Sequence, residues 1–350
     1  MIHFPPLAPL SGLYRGLVHL RNLSYDKGIL ASAKLPAFVI SIGNLSVGGT
    51  GKTPMTIFLA QALHKAGWRV AIVARGYRRE GRGTCLVSDG EKILADLREA
   101  GDEPLLLAQA CPGVPVIVDR NKTHAAAIAV EQFNPQIILV DDGFQHRHLQ
   151  RDLDLVLMPA AFLLQTPRLL PAGPLREPIV SLRRAQFLLL TGLTDLAPLR
   201  QHHVWERCQQ FEARAFALHF QVQALISVHK RETFPLNQLR SAKVVLVSGI
   251  AQPERFHHMI QTLGAQVVHT MRFSDHYNYR ANDAEHIAHT FAQTRGDLLI
   301  TTSKDAVKLR NFECLAQLPC FALEIVAAPA ENFFSALQTA LPVRAEHVLP

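Results

Sequence analysis

An α/β protein built on a mostly parallel, doubly wound sheet is the fold class this sequence predicts, and three observations predict it. Continuously apolar runs of five or six residues alternate with helical segments through the first half of the chain, as strands covered on both faces do. One of those runs leads directly into a glycine loop, and Lys52-Thr53 then opens a helix. A second βα series begins at Lys243, which adds a smaller α/β domain.

Taken in order, segment 1–27 reads as an amphipathic helix. Leu10, Leu13, Tyr14, Leu17 and Leu20 fall at helical spacing, with Arg15, His19 and Asn22 on the other side. An apolar face flanked by cations suits the headgroup boundary of a bilayer; the alternative is a helix packed on the domain. Pro5, Pro6 and Pro9 interrupt any signal-peptide pattern. No run of about eighteen apolar residues exists, so no spanning helix is expected.

A first domain over 28–210 is expected to hold strands at Phe38–Ile42, Arg69–Ala74, Val114–Val118, Gln136–Val140, Leu153–Met158 and Gln186–Leu190. Phe211–Gln223 alternates through Ala213, Ala215, Ala217 and His219 like a strand, and Cys320–Val326 is a late strand able to pair with it. Segments 211–230 and 318–330 are therefore expected to form a two-stranded linker. The smaller domain, 231–317, runs KVVLVSGIA, a helix near Pro253–Leu263, AQVVHT, a helix near Asn282–Gln293 and DLLITTSKDAVKL. Residues 331–350 are expected to return to the first domain. Two α/β domains joined by a ribbon leave a cleft that opens and closes, and ligands of such sheets sit outside the carboxyl ends of the strands.

Composition narrows the partners. The 350 residues are 48% hydrophobic and 19% charged, a globular balance. A net charge of +7 attracts anionic ligands or surfaces. Nucleic acid is not expected, because only Tyr77 supplies an aromatic among the basic clusters. Cys85, Cys111, Cys208, Cys314 and Cys320 show no C-x-x-C spacing, so a reduced protein without zinc is expected.

Residues 36–54 read AFVISIGNLSVGGTGKTPM, the pattern of a phosphate-binding loop. Gly48, Gly49, Thr50 and Gly51 let backbone N–H groups close around a phosphate chain. Lys52 reaches the β/γ-phosphates, and the Thr53 hydroxyl is able to hold Mg²⁺. The helix that follows points its positive end at the same oxygens. Ser46 stands where the pattern expects its first glycine.

The strand IILVDDGFQH ends in Asp141 and Asp142, carboxylates of the kind that support Mg²⁺ beside such a loop. Gly101-Asp102-Glu103-Pro104 puts two carboxylates ahead of a helix at Leu105–Cys111. Asp102 is read either as an N-cap or as a base for a substrate hydroxyl, with Glu103 on the metal side. His276, in the SDHYNY loop of the smaller domain, is placed to reach a carboxylate from across the cleft. His146 and His148 are read as surface or supporting groups. Cations recur at strand ends, at Arg75, Arg78, Arg79, Arg120, Lys122, Arg147, Arg151 and Arg176, and a guanidinium fork suits phosphate. Thr301-Thr302-Ser303-Lys304-Asp305 has a faint likeness to the base-reading N-K-x-D of GTPases, without its Asn.

In this order GNLSVGGTGKTP, ARGYRR, GDEP, VDRNKTHAA, VDDGFQH, GPLREP, SDHYNY and TSKDAVKL resemble the tetraacyldisaccharide 4′-kinases, the lipid A 4′-kinases of Gram-negative bacteria, over residues 10–310. The family's loop opens on a Gly-Asn pair, here Gly43-Asn44. The resemblance implies a P-loop domain and a smaller α/β domain joined by a two-stranded linker. It implies a peripheral or monotopic enzyme on the cytoplasmic face of the inner membrane, using ATP and Mg²⁺ to phosphorylate the 4′-hydroxyl of an acylated glucosamine disaccharide 1-phosphate. By the same resemblance Asp102 is the base, paired with His276. Lys52 touches the transferred phosphoryl group, and Thr53, Asp142, Glu103 and Asp141 act in or near the metal shell. Asn44, Tyr77, Arg78, Arg120, Asn121 and Arg176 lie near substrate or phosphates. The rival readings are a loop-type kinase or ligase of a soluble metabolite and a membrane-cycling ATPase switch. Such switches carry an extra lysine where this chain has Val47.

Overall fold

A computed structural model describes residues 7–202 and 204–343; the expectations that touch 1–6, with Pro5 and Pro6, and 344–350 lie outside the described residues. The elements run α1 (Ala8–Asp26), β1 (Phe38–Asn44), α2 (Lys52–Lys65), β2 (Val70–Ala74), β3 (Cys85–Ser88), α3 (Leu97–Ala100), α4 (Asp102–Ala110), β4 (Val116–Val118), α5 (Lys122–Phe133) and β5 (Ile137–Asp141). There follow β6 (Leu153–Pro159), α6 (Ala161–Leu164), β7 (Phe187–Thr191), α7 (Ala197–Arg200), α8 (Val204–Gln209), β8 (Arg214–Ser227), β9 (Thr233–Phe234) and β10 (Lys243–Ser248). The chain closes with α9 (Pro253–Thr262), β11 (Gln266–Arg272), α10 (Ala281–Thr294), β12 (Leu298–Thr302), α11 (Ser303–Leu309), β13 (Cys320–Pro329) and α12 (Asn332–Ala340).

Two compact units emerge. The first gathers the described parts of 1–75, 121–219 and 327–350; the second gathers 76–120 and 220–326. The sequence reading kept 76–120 with the phosphate loop, so the structure draws this boundary differently.

In the first unit the strand order is β8-β7-β6-β1-β5-β2, and all five pairings in it are parallel. Ile40 lies opposite Leu139 on one side and Leu153 on the other, so β1 is an inner strand; it is buried from Val39 to Asn44 and apolar but for Ser41 and Asn44. Phe144, Val156, Leu163, Leu182, Leu188 and Leu190 form the core on one side. At the far edge Phe187, Phe216 and Phe333 meet edge-to-face, with centroids 5.3–6.1 Å apart, the favoured aromatic geometry.

The second unit has the order β11-β10-β12-β13-β8, with β9 antiparallel to β8, and it also holds the antiparallel pair β3 and β4. Its inner strand β10 shows the period of two directly. Val245 and Val247 enter a cluster with Ile287, Phe291 and Leu309, while Val244 and Leu246 enter one with Phe256, Ile260 and Leu323. Both faces are thus covered by helices. The predicted helix near 282–293 appears as α10, and the one near 253–263 as α9.

Helix α1 departs from the expected grouping of its faces at Tyr14. Its protein-facing side carries Ser11, Tyr14, Val18, Asn22 and Tyr25. Val18 and Tyr25 are buried, and Tyr14 donates to the Arg176 carbonyl at 2.9 Å. Asn22 donates to Glu177 at 2.9 Å. The leucines point away: Leu13 is 64% and Leu17 59% exposed. Tyr14, grouped with the leucines from sequence, belongs to the docked side. Among the described residues no helix is long and apolar enough to cross a membrane.

Candidate active site

In the first unit the loop leaves β1 at Asn44 and enters α2 at Lys52. Gly48 (φ 101°) and Gly51 (φ 88°) hold left-handed backbone, which glycine adopts without steric penalty. A Cβ on Gly48 or Gly49 would meet nothing within 4 Å, so the outer side of the loop is open to a ligand. Its inner side is braced. Asn44 Nδ2 donates to Thr50 Oγ1 at 2.7 Å, and Gln145 Nε2 donates to the Asn44 carbonyl at 2.9 Å. The segment after Gly173 lies alongside: Val47 N–H donates to the Pro174 carbonyl at 2.8 Å, and Arg176 N–H to the Leu45 carbonyl at 2.7 Å. Ser46 bridges Leu175 between them, so the place of the missing glycine is a buried, paired backbone position.

That pairing delivers Arg176 to Asp142, with Nη1 2.9 Å from Oδ2 and 3.2 Å from Oδ1. Lys52 Nζ stands 3.5 Å from Asp142 Oδ1. Lys122, itself buried, donates to the carbonyls of Asp141 and Asp142 at 2.6 Å each. Burial alone would raise the Asp142 pKa, but Lys52, Lys122 and Arg176 together hold it well below the usual carboxylate range. Burial lowers that of Lys122, against the pull of the two aspartates. Asp141 is buried and accepts the Thr56 hydroxyl at 3.0 Å. Thr53, Asp141 and Asp142 are hard oxygen donors, the type Mg²⁺ takes, and that ion keeps water and phosphate oxygens in its shell. The residues present therefore fit Mg²⁺. Among the described residues no cluster of three or more His, Cys, Asp or Glu side chains forms a complete metal site.

The second unit assembles the other chemistry. Gly101 (φ 85°) is the N-cap of α4, so Asp102 is its first helical residue rather than the cap. Its Oδ1 accepts the Glu103 N–H at 2.9 Å. His276 Nδ1 lies 2.9 Å from Asp102 Oδ2 and 3.1 Å from Oδ1, and an ionised carboxylate only accepts, so Nδ1 carries the proton. Lys308 Nζ sits 3.3 Å from Oδ2. Burial would raise the Asp102 pKa; His276, Lys308 and Lys304 more than offset it and bring it to about 2. The hydrogen bond to Asp102 raises the His276 pKa against burial. Glu103 is engaged by the Lys304 ammonium group. Tyr77, half exposed, sets its ring edge-on to His276 at 5.2 Å. Arg78 donates to the carbonyl of Asp275 at 2.8 Å and of His276 at 3.4 Å.

Several expected ligand groups hold other tasks. Asn44 is fully buried under the loop, and Asn121 caps α5 by accepting from Thr123 and His124. Arg120 is exposed. Arg79 is buried and tied to the carbonyls of Gly83 and Glu99. Arg147 pairs with Asp26, docking α1, and Arg151 pairs with Asp154. His146 is half-buried, and burial together with Lys122 lowers its pKa to about 4. Asp305 is fully buried: it accepts Gly249 N–H at 2.9 Å and the Thr302 hydroxyl at 2.7 Å, so the TSKD segment does not present a base-reading carboxylate. Sequence reasoning counted Lys122 only among the cations at strand ends and Lys304 only as part of the segment 301–305, and it passed over Lys308; the partners of all three are distant in the chain. The only local trace was a lysine inside each of two motifs already picked out.

Fold and site define a P-loop protein of the phosphotransferase class. A family profile described as tetraacyldisaccharide-1-P 4′-kinase matches residues 4–342, and the chain belongs to that family. Among curated relatives, the tetraacyldisaccharide 4′-kinase of Halothermothrix orenii is 37% identical over 317 residues, covering 86% of this chain and 82% of that protein. That of Bdellovibrio bacteriovorus is 39% identical over 320 residues, covering 91% and 94%. The crystal structure of Aquifex aeolicus LpxK in complex with ATP superposes with a TM-score of 0.79 at 34% identity, covering 96% of this chain and 99% of that one.

Proposed function

We propose that this chain transfers the γ-phosphoryl group of ATP to the 4′-hydroxyl of tetraacyldisaccharide 1-phosphate, a step of lipid A assembly, at the cytoplasmic face of the bacterial inner membrane. The observation that carries the reading is the open, braced loop whose Lys52 and Thr53 stand beside an Asp142 held ionised by cations. Phosphoryl transfer asks mainly for in-line positioning and for neutralising charge on phosphate oxygens. Backbone N–H groups of 48–51 and Lys52 supply both for the nucleotide. Thr53 and Asp142, with Asp141 behind them, would hold Mg²⁺, which when bound would supply further charge neutralisation on the phosphates. Arg176 keeps Asp142 in place and adds a guanidinium for the substrate phosphate.

Asp102 accepts the proton of the attacking hydroxyl. At a pKa of about 2 it is a weak base, and a loose transition state needs no stronger one because the proton leaves late. Its main task is to aim the hydroxyl, and His276 Nδ1–H fixes the carboxylate for that purpose. The exposed leucines of α1 support a lipid-bearing acceptor: a row of apolar side chains turned from the protein is expected to lie in the acyl–headgroup boundary.

The test compares acceptors. With labelled ATP and Mg²⁺, label is expected on the acylated disaccharide 1-phosphate in detergent or vesicles. Equal transfer to a deacylated, water-soluble disaccharide or to free metabolites would favour the soluble-substrate rival, and ATP hydrolysis without an acceptor would favour the switch.

A further inference from the structure

The TSKDAVK segment has so far entered only as charge beside Asp102 and Glu103, and its Asp305 is unavailable to a nucleotide base. In the second unit it carries two lysines one helical turn apart on α11. Lys304 engages Glu103, and Lys308 stands 3.3 Å from Asp102 Oδ2. Positions i and i+4 share a helix face, so one face of α11 supplies an ammonium group to each of two adjacent carboxylates at the start of α4.

Lys308 is 5% exposed, and it also lies 3.2 Å from Asp305 Oδ1, with its ammonium 5.6 Å from the centre of the Tyr279 ring. Asp305 is pinned by Gly249 N–H and the Thr302 hydroxyl. The Gly249 carbonyl in turn accepts the backbone N–H of His276 at 3.1 Å, the residue whose imidazole meets Asp102. The contacts close a ring: Gly249, Asp305, Lys308, Asp102, His276 and back to Gly249. A Cβ on Gly249 would come within 3.1 Å of Asp305 Oδ1 and 3.2 Å of Tyr279 Oη, so the ring is closely packed at that corner too.

Resting on the reading of Asp102 as the base, we infer that Lys308 is a positioning residue for phosphoryl transfer: its buried ammonium group, anchored by Asp305, fixes the orientation of the Asp102 carboxylate from the side opposite the Glu103 N–H. Three donors then hold Asp102: its neighbour's N–H on Oδ1, His276 Nδ1–H across both oxygens, and Lys308 on Oδ2. Without Lys308 the carboxylate loses one of them and turns more freely about its last side-chain bond. Misplacing a reacting group by about 1 Å lowers turnover roughly 100-fold.

The experiment is a double-mutant cycle on the full chain with ATP, Mg²⁺ and the acylated acceptor, using Lys308→Met, Asp102→Asn and the pair. Lys308→Met is expected to lower kcat by about 10- to 100-fold with the KM for ATP within about twofold. In the Asp102→Asn background it is expected to cause no further loss, as residues acting through one group are non-additive. Wild-type kcat in Lys308→Met beside an impaired Asp102→Asn would overturn the inference while leaving the base reading intact. So would losses that multiply in the pair, which mark an effect independent of Asp102. Wild-type turnover in Asp102→Asn would instead remove the base reading, and this inference with it. If Lys308→Met fails to fold, Lys308→Met with Asp305→Asn removes both charges of the buried pair, and the same outcomes apply.

Discussion

Lys52 holds its ammonium group 3.5 Å from Asp142, in a loop open on its outer side, and the account makes it the cation for the transferred phosphoryl group. Lys52→Ala is expected to lower kcat by about 100- to 1,000-fold, the range for losing one preorganised charge donor; normal turnover at saturating ATP would contradict the role. Asp102→Ala is expected to lower kcat by about 100- to 10,000-fold while a fluorescent ATP analogue binds as before. The two sites were not equally legible. Lys52, Thr53 and Asp142 stand in short local patterns whose spacing is itself the chemistry. Lys308 meets Asp102 across 206 positions, and no periodicity records such a contact. Arg79 and Arg147 misled for the converse reason: a guanidinium that ties down a loop carbonyl or a helix looks, in sequence, like one waiting for phosphate.

Elements set the angles at which these groups meet. The turn after β5 packs directly on β1: a Cβ at Gly43 would fall on Phe144 Cβ and within 2.9 Å of its backbone nitrogen. Gly43 was legible as half of a Gly-Asn pair, but the reason for it was not, since it is a close approach between two strands' ends. Gly43→Ala is expected to destabilise by about 1–3 kcal/mol and to shift the turn that carries Asp142, seen as a lower thermal midpoint with weaker nucleotide binding; a wild-type midpoint would contradict that packing. Glu177 joins the Pro174–Arg176 strip to α1. It is buried against Arg184 at 2.9 Å and Asn22. Burial alone would raise its pKa, but Arg184 and the hydrogen bonds lower it from the ordinary 4.5. Its contribution to stability is therefore complete above 4.5 and lost as pH falls through the lower folded value. Glu177→Gln is expected to lose about 2 kcal/mol at pH 7 and to unfold with a flatter acid limb in denaturant titrations from pH 7 to 3; an acid limb identical to wild type would contradict the pairing.

For the whole molecule, the sheet class was written in the chain as continuous apolar strands, while the grouping of 76–120 with 220–326 was not. That grouping depends on side-chain contacts such as Asp102 with His276 and Arg231 with the Gln109 carbonyl, which leave no mark on local hydropathy. Helix α1 was half legible: its amphipathic spacing was plain, yet which face docks is decided by the hydrogen bonds of Ser11, Tyr14 and Asn22. With the leucines outward, Leu13→Glu combined with Leu17→Glu is expected to leave unfolding within about 0.5 kcal/mol of wild type. Partition into anionic vesicles is expected to fall on the order of 100-fold, and unchanged partition would remove the membrane face. The most direct measurement of the central claim is phosphorus NMR of the lipid recovered after reaction with ATP and Mg²⁺. The account predicts a second, monoester phosphorus on C4′ beside the original glycosyl phosphate, formed in one-to-one ratio with ADP. A lipid that keeps a single phosphorus while ADP accumulates would contradict it.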